Sequence, residues 1–316
     1  MKTLPWVACV ASIMSVFADD ALLSAIRNGA EVSIQYRVVD ENGMSVSNAT
    51  AHVWLMSYGR SADNVDYVVT TDLNGCFVAR GMTNDRVICC VEKTGYYASR
   101  EEVLVRAEGR AHPLVQDGKW QPYDENRTIS FKTVREPTVL LHSMDELHEI
   151  PAYNEWLGFD LEKSAWTPPF GSGIHKDVLM RFYRKVKNRQ TDFWAQMEVS
   201  FTNNPFGGVY CARKDRNSEL ESMHRADVVA SYKPSLDYSL SVGSFGKKSH
   251  MLGEDSYLVF RTRTATNEEG RLVSAHYGMI YGRWGFYGGM RAKEVFFNPV
   301  PNDTNLEPKR EAMSQP

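Results

Sequence analysis

The chain has 316 residues, enough to bury two cores, and its 43% hydrophobic and 24% charged residues exclude wholesale disorder. A formal net charge of −3 gives no global attraction to nucleic acid or an anionic membrane, and no nucleic-acid partner is expected.

Residues 1–18 read as a signal peptide. Lys2 supplies the positive start, and an apolar stretch follows from Leu4 to Phe17, with Trp6, Val7, Val10, Ile13, Met14 and Val16. Val16-Phe17-Ala18 puts a small residue at the cut, ahead of Asp19 and Asp20. The stretch is shorter than the roughly 20 residues that span a bilayer. No transmembrane segment is therefore expected in the mature chain, and the expected location is secreted, periplasmic or cell-envelope. Cys9 lacks the preceding leucine of a lipidation site. Removing the signal leaves Cys76, Cys89, Cys90 and Cys211, too few for a disulfide scaffold. Cys76 with Cys89 or Cys90 is the local candidate for one bridge; small buried thiols on strands are an equal reading.

Residues 30–135 alternate short β-type runs with turns, the pattern of a sandwich. Val32, Ile34, Tyr36 and Val38 share one face of the first strand, which ends at Asp40-Glu41-Asn42-Gly43. Runs follow at 49–58, 65–71, 86–93 and 100–106, with a hairpin turn at 71–77 returning Phe77 to the core. Residues 128–134 close the domain.

The order of these pieces, over residues 38–43, 49–54, 71–77 and 87–97 with Gly95-Tyr96, resembles the carboxypeptidase regulatory-like domain, a transthyretin-like β-sandwich. The stretch 105–128, with Trp120 and Tyr123, departs from the family pattern. The resemblance implies an accessory module for adhesion, spacing or stabilisation, without catalytic residues.

Residues 136–155 read as a linker. His142, Asp145, Glu146, His148 and Glu149 crowd it, but a short helix from Ser143 with Glu146 as its capping-box partner explains Ser143 and Glu146 equally well, the rest read as solvated linker charges, and no metal is expected. Residues 156–300 read as a second β-sandwich or jelly-roll-like domain, opened by a segment rich in Trp, Phe, Pro and Gly up to residue 173. A hairpin turning at Arg189-Gln190 then pairs Val178 with Phe201, Met180 with Val199 and Phe182 with Met197. The same register sets Arg181 against Glu198, Lys185 against Trp194 and Lys187 against Asp192. This neutralises the basic stripe of Arg181, Lys185, Lys187 and Arg189. A second hairpin turns at Asn267-Glu268-Glu269-Gly270 and opposes Phe260 to Tyr277 and Leu258 to Met279, with further strands over 237–245 and 293–298. The tail 301–316 is expected to fray.

No Gly-x-Ser-x-Gly elbow, His-Glu-x-x-His or His-x-x-Glu occurs. No catalytic residue and no cofactor are expected; a glycosidase carboxylate pair is invisible to sequence spacing. The one site-like segment is 282–289, where Arg283, Trp284, Phe286 and Tyr287 stand among four glycines. Such a loop suits a ligand stacked on exposed rings, and suits equally a tight turn whose rings plug the core, which is the favoured reading. The sequence thus reads as all-β, two antiparallel sandwiches after a signal peptide. It leads to the expectation of a noncatalytic exported or envelope protein with a binding or structural role, its partner a carbohydrate or another envelope protein. The alternative is a polysaccharide-acting hydrolase or carbohydrate-binding protein using the aromatic, glycine-rich C-terminal half.

Overall fold

A computed structural model of the chain describes residues 20–59, 64–106, 114–282 and 284–309. The expected signal peptide, Arg283 and residues 310–316 lie outside these. The chain divides into two units, one running to Val134 and taking in Asn217–Leu220, the other comprising Arg135–Arg216 and the chain from Glu221 on. Both are built almost wholly of strands, and no described helix is long and apolar enough to cross a membrane.

In the first unit residues 20–28 are helical, with Leu22, Ala25 and Ile26 against the core at helical spacing. The strands are β1 (Ala30–Asp40), β2 (Thr50–Met56), β3 (Val65–Thr70), β4 (Cys76–Thr83), β5 (Arg86–Glu92), β6 (Ser99–Leu104), β7 (Val115–Gln116), β8 (Lys119–Trp120) and β9 (Glu125–Phe131). They form a sheet β4-β1-β8-β7, with β9 also on β1, and a sheet β3-β2-β5-β6. Alternation sets the core: Ile34, Tyr36 and Val38 are buried while Gln35 and Arg37 are exposed, and Ala51, Val53 and Leu55 face Val91, Cys89 and Val87 in turn across β2–β5. Two turns share one chemistry. Asp40 accepts the N–H groups of Asn42 and Met44, and Asp72 those of Asn74 and Cys76. Each ends on a glycine at positive φ, Gly43 (77°) and Gly75 (76°). At Gly75 a Cβ would lie 2.5 Å from the Val38 carbonyl oxygen. The expected closing strand lies three residues earlier than its sequence reading, and β9 and β8 run parallel to β1 rather than antiparallel. The departing stretch contributes Trp120, fully buried, whose indole N–H donates to the Thr83 carbonyl at 2.7 Å.

The second unit contains β10 (Leu141–Met144), β11 (Leu147–His148), β12 (Trp156–Asp160), β13 (Ala165–Trp166), β14 (Val178–Asn188), β15 (Asp192–Ser200), β16 (Gly208–Arg213), β17 (Ser235–Val242), β18 (Lys248–His250), β19 (Ser256–Thr266), β20 (Leu272–Tyr281), β21 (Met290–Arg291) and β22 (Glu294–Phe297). A six-stranded sheet β13-β12-β14-β15-β17-β18 and a five-stranded sheet β10-β22-β20-β19-β16 share a core in which Phe182, Met197 and Val199 of the first join Phe260, Ile280 and Phe297 of the second. The arrangement is sandwich-like.

The β14–β15 register pairs Met180 with Val199, Phe182 with Met197, Arg181 with Glu198 and Lys185 with Trp194, as read from the sequence. Near the turn a shift in register sets Asn188, not Lys187, opposite Asp192. The β19–β20 register is slipped by one from its reading: Phe260 faces Gly278 and Leu258 faces Ile280. The cause is the turn. Asn267 and Arg271 already pair, N–H to carbonyl at 3.0 Å, so the loop proper is 268–270, with Gly270 at φ 75°. Gly278 suits the slipped register, since a Cβ there would strike the Phe260 ring and the Phe296 carbonyl.

Two further expectations are corrected. The helix from Ser143 is absent; residues 141–144 are an edge strand on β22, with the His142 ring stacked on Phe296 at 4.4 Å. Tertiary pairing overrides the local capping signal there. The tail does not fray as far as residue 309: Leu306 and Glu307 are buried, and the Glu307 carboxylate accepts the N–H groups of Arg135 and Glu136.

Candidate ligand-binding face

The glycine-rich segment does not present its rings to a ligand. Trp284 and Phe286 are 3% and 4% exposed, inside the core of the second unit. Tyr287 is half-buried, stacked on Phe193 at 4.1 Å, with its hydroxyl donating to the Arg189 carbonyl. Gly285 and Arg291 exchange both backbone hydrogen bonds, which closes the loop 286–290 rather than a tight turn. Gly282 (φ 75°) leaves room for Lys293, whose Cβ would be 2.8 Å from a Cβ at that position. Gly282 and Gly289 therefore relieve crowding, against Lys293 and Leu147, and the Trp284 and Phe286 rings plug the core.

Carboxylates do converge in this unit, but on an arginine. Arg263 sits at the β19 bulge with φ 48°. Its guanidinium donates to both carboxylate oxygens of Asp177 (2.8 and 2.9 Å), to Asp160 (3.2 Å) and to Glu162. Asp160 and Asp177 are fully buried. Burial opposes ionisation of Asp160. The N–H groups of His175, Lys163 and Ile174, with the Arg263 charge, outweigh it and hold the carboxyl below its ordinary range. Burial pushes Asp177 upward despite the same arginine. No sequence signal marked this knot, because it assembles side chains about 100 residues apart.

The outer face of the six-stranded sheet is different. Residues of one parity on β12, β14, β15, β17 and β18 fall into three cross-strand rows. The first is Trp156–Arg181–Glu198–Asp237, the second Tyr183–Gln196–Ser239–His250, the third Lys185–Trp194–Ser241–Lys248. Trp156 is 43% exposed, and Tyr183 and Trp194 are partly so. The Arg181 guanidinium lies over the rings of both Trp156 (4.6 Å) and Tyr183 (5.3 Å) and pairs with Glu198 at 2.6 Å. The Lys185 ammonium lies 5.9 Å from the centre of the Trp194 ring, and Tyr183 and Trp194 are 6.4 Å apart. Rings held in this way are pre-organised platforms flanked by amide, hydroxyl, imidazole and ammonium groups. The sequence showed the β14–β15 half of these rows; Trp156 and the β17–β18 partners required the fold.

Elsewhere, Tyr36, Cys89, Glu101 and Arg127 meet between the sheets of the first unit, where Arg127 pairs with Glu101 at 2.7 Å and burial pushes the Cys89 thiol up to about 12. A cleft of about 550 Å³ in the second unit is lined by Lys214, Arg216, Glu221, Glu254, Gly282 and Lys293, with Lys214 tied to Glu221 at 2.9 Å. Cys76, Cys89, Cys90 and Cys211 are free thiols. Among the described residues no His, Cys, Asp and Glu side chains group as a metal site.

No family profile and no curated protein sequence matches the chain. Among solved structures it is similar in part to 3-chlorocatechol 1,2-dioxygenase from Rhodococcus opacus 1CP, at 12% identity and TM-score 0.27, over 34% of this chain and 61% of that one. Hydroxyquinol 1,2-dioxygenase from Pseudomonas putida DLL-E4 gives 14% and 0.25, over 34% and 58%. Catechol 1,2-dioxygenase from Acinetobacter radioresistens gives 16% and 0.25, over 36% and 54%. The chain thus spans about three-fifths or less of the length of these enzymes.

Proposed function

We propose that the protein is a noncatalytic exported or cell-envelope protein whose second unit holds a polysaccharide on the outer face of its six-stranded sheet. The observation that carries this reading is the set of part-exposed rings, Trp156, Tyr183 and Trp194, fixed on one sheet face beside Gln196 and Ser239. A pyranose offers apolar C–H faces that stack on such rings and hydroxyls that bond to amide and hydroxyl neighbours. The absence of catalysis is supported by the converging carboxylates being tied up by Arg263, and by the closed, ring-filled core around Trp284. Export rests on residues 1–18. The first unit is read as an accessory module of the carboxypeptidase regulatory-like kind, supported by its sandwich and its paired Asp-x-Asn-Gly turns.

Affinity electrophoresis of the mature protein through gels containing a panel of polysaccharides tests the reading. At least one polymer should retard the wild type and leave the Trp156→Ala/Trp194→Ala variant running as in a blank gel. Unaltered migration of the wild type in every polymer contradicts it.

A further inference from the structure

The ring-bearing face is not electrically uniform along its strands. Its first row carries one cation and two carboxylates: Arg181 is paired with Glu198, and Asp237 lies 3.7 Å from a ring nitrogen of His250 in the next row. The opposite end of the same strands is basic. Residues 185–194 and 241–248 carry Lys185, Lys187, Arg189, Lys247 and Lys248 against one carboxylate, Asp192. All five cations are exposed. Asp192 accepts both the N–H and the hydroxyl of Ser244, and Lys187 donates to that same hydroxyl at 2.9 Å. Among the described residues Lys185 and Lys248 form no ion pair; the Lys185 charge instead lies against the Trp194 ring.

Register places these two lysines in the row Lys185–Trp194–Ser241–Lys248, directly across four strands. At the usual strand spacing they stand about 14 Å apart, with the Trp194 ring beside Lys185 and, next to Lys248, Ser241, which is buried and donates its hydroxyl to the Gly246 carbonyl at 2.7 Å. Cation, ring and cation in one cross-strand row match a chain whose sugar rings lie on the indole while acidic substituents reach the ammonium groups on either side. Charge alone is a poor ligand definition here. The whole chain carries −3, and beyond about 8 Å at physiological salt the local excess is screened. Recognition therefore needs contact, in which stacking and hydrogen bonds from Gln196 and Ser239 accompany charge. That combination favours an acidic polysaccharide over a uniformly charged polymer.

We infer that the ligand of this face is an acidic polysaccharide, bearing carboxylate or sulfate groups, held by Trp194 between Lys185 and Lys248. The inference rests on the polysaccharide reading above. Titration calorimetry of the mature protein with polygalacturonate, dextran sulfate, unmodified dextran and single-stranded DNA tests it. At least one acidic polysaccharide should bind about tenfold or more tighter than dextran, and whichever does so identifies the acidic group. Its affinity should fall steeply between about 50 and 500 mM salt. Lys185→Ala/Lys248→Ala should lose about tenfold in that affinity, with an unchanged melting temperature because both side chains are exposed. Dextran binding as tightly, with the lysine variant unaffected, overturns the acidic assignment while leaving the polysaccharide reading standing. DNA binding as tightly as the acidic sugars overturns it in favour of a general polyanion site. Binding to none of these polymers overturns the acidic assignment, and retardation by another polymer in the gel panel would leave the polysaccharide reading standing.

Discussion

Trp284→Ala should lower stability by about 3–5 kcal/mol, the cost of emptying a buried aromatic site. The indole is 3% exposed and part of the core of the second unit, with Tyr238 at 6.4 Å and Phe286 buried in the same core. The measurement is urea denaturation, read as a lower midpoint at unchanged slope. Polysaccharide affinity, measured well below the new melting point, should stay within about twofold of wild type, since the ring faces the core rather than the sheet's outer rows. A stability loss below about 1 kcal/mol would show an exposed ring and return the glycine-rich segment to contention as a ligand site.

Arg263→Met should be as costly at neutral pH, about 3–5 kcal/mol, because it strands Asp160 and Asp177 in the interior without their counter-charge. Its pH dependence identifies the cause. In the wild type Asp160 is depressed, so its contribution is present above the unfolded carboxyl value and disappears as pH falls through its lowered folded value. Asp177 is raised, so its contribution is full below the unfolded value and is lost as pH rises through the folded one. Removing the guanidinium raises both, and protonation then relieves the penalty. The gap between variant and wild type in equilibrium unfolding should therefore narrow as pH falls from 7 towards about 4. A gap independent of pH would mean that lost packing against Phe297, whose ring centre lies 4.6 Å from the guanidinium, dominates instead.

Local chemistry made much of the fold legible. The Asp-x-Asn-Gly turns worked because an aspartate oxygen capping two N–H groups and a glycine at positive φ are decided within four residues. The β14–β15 hairpin worked because both faces of the ladder demand the same register. The β19–β20 hairpin slipped because a three-residue and a four-residue loop differ by one hydrogen-bonded pair, Asn267–Arg271, and apolar residues on both sides of the ladder left nothing to veto the error. The Ser143 capping signal lost to pairing with β22, a strand about 150 residues away. The candidate face was half visible. Arg181–Glu198 and Lys185–Trp194 could be read, but neutralisation of the whole stripe could not follow from them. The register shift leaves Asn188 facing Asp192, and Asp192 turns to Ser244. Arg263 was beyond reach, since a bulge and three carboxylates from distant segments define it.

A ligand resting on the outer rows of the six-stranded sheet must lose its stacking partner when Trp194 is removed. The measurement is the affinity of Trp194→Ala for a polysaccharide that retards the wild type, by titration calorimetry alongside the urea midpoint. The part-exposed indole is predicted to take about tenfold or more of the affinity with it while changing stability by less than about 1 kcal/mol. Wild-type affinity in a variant of wild-type stability would rule out this sheet face and place the ligand elsewhere on the molecule.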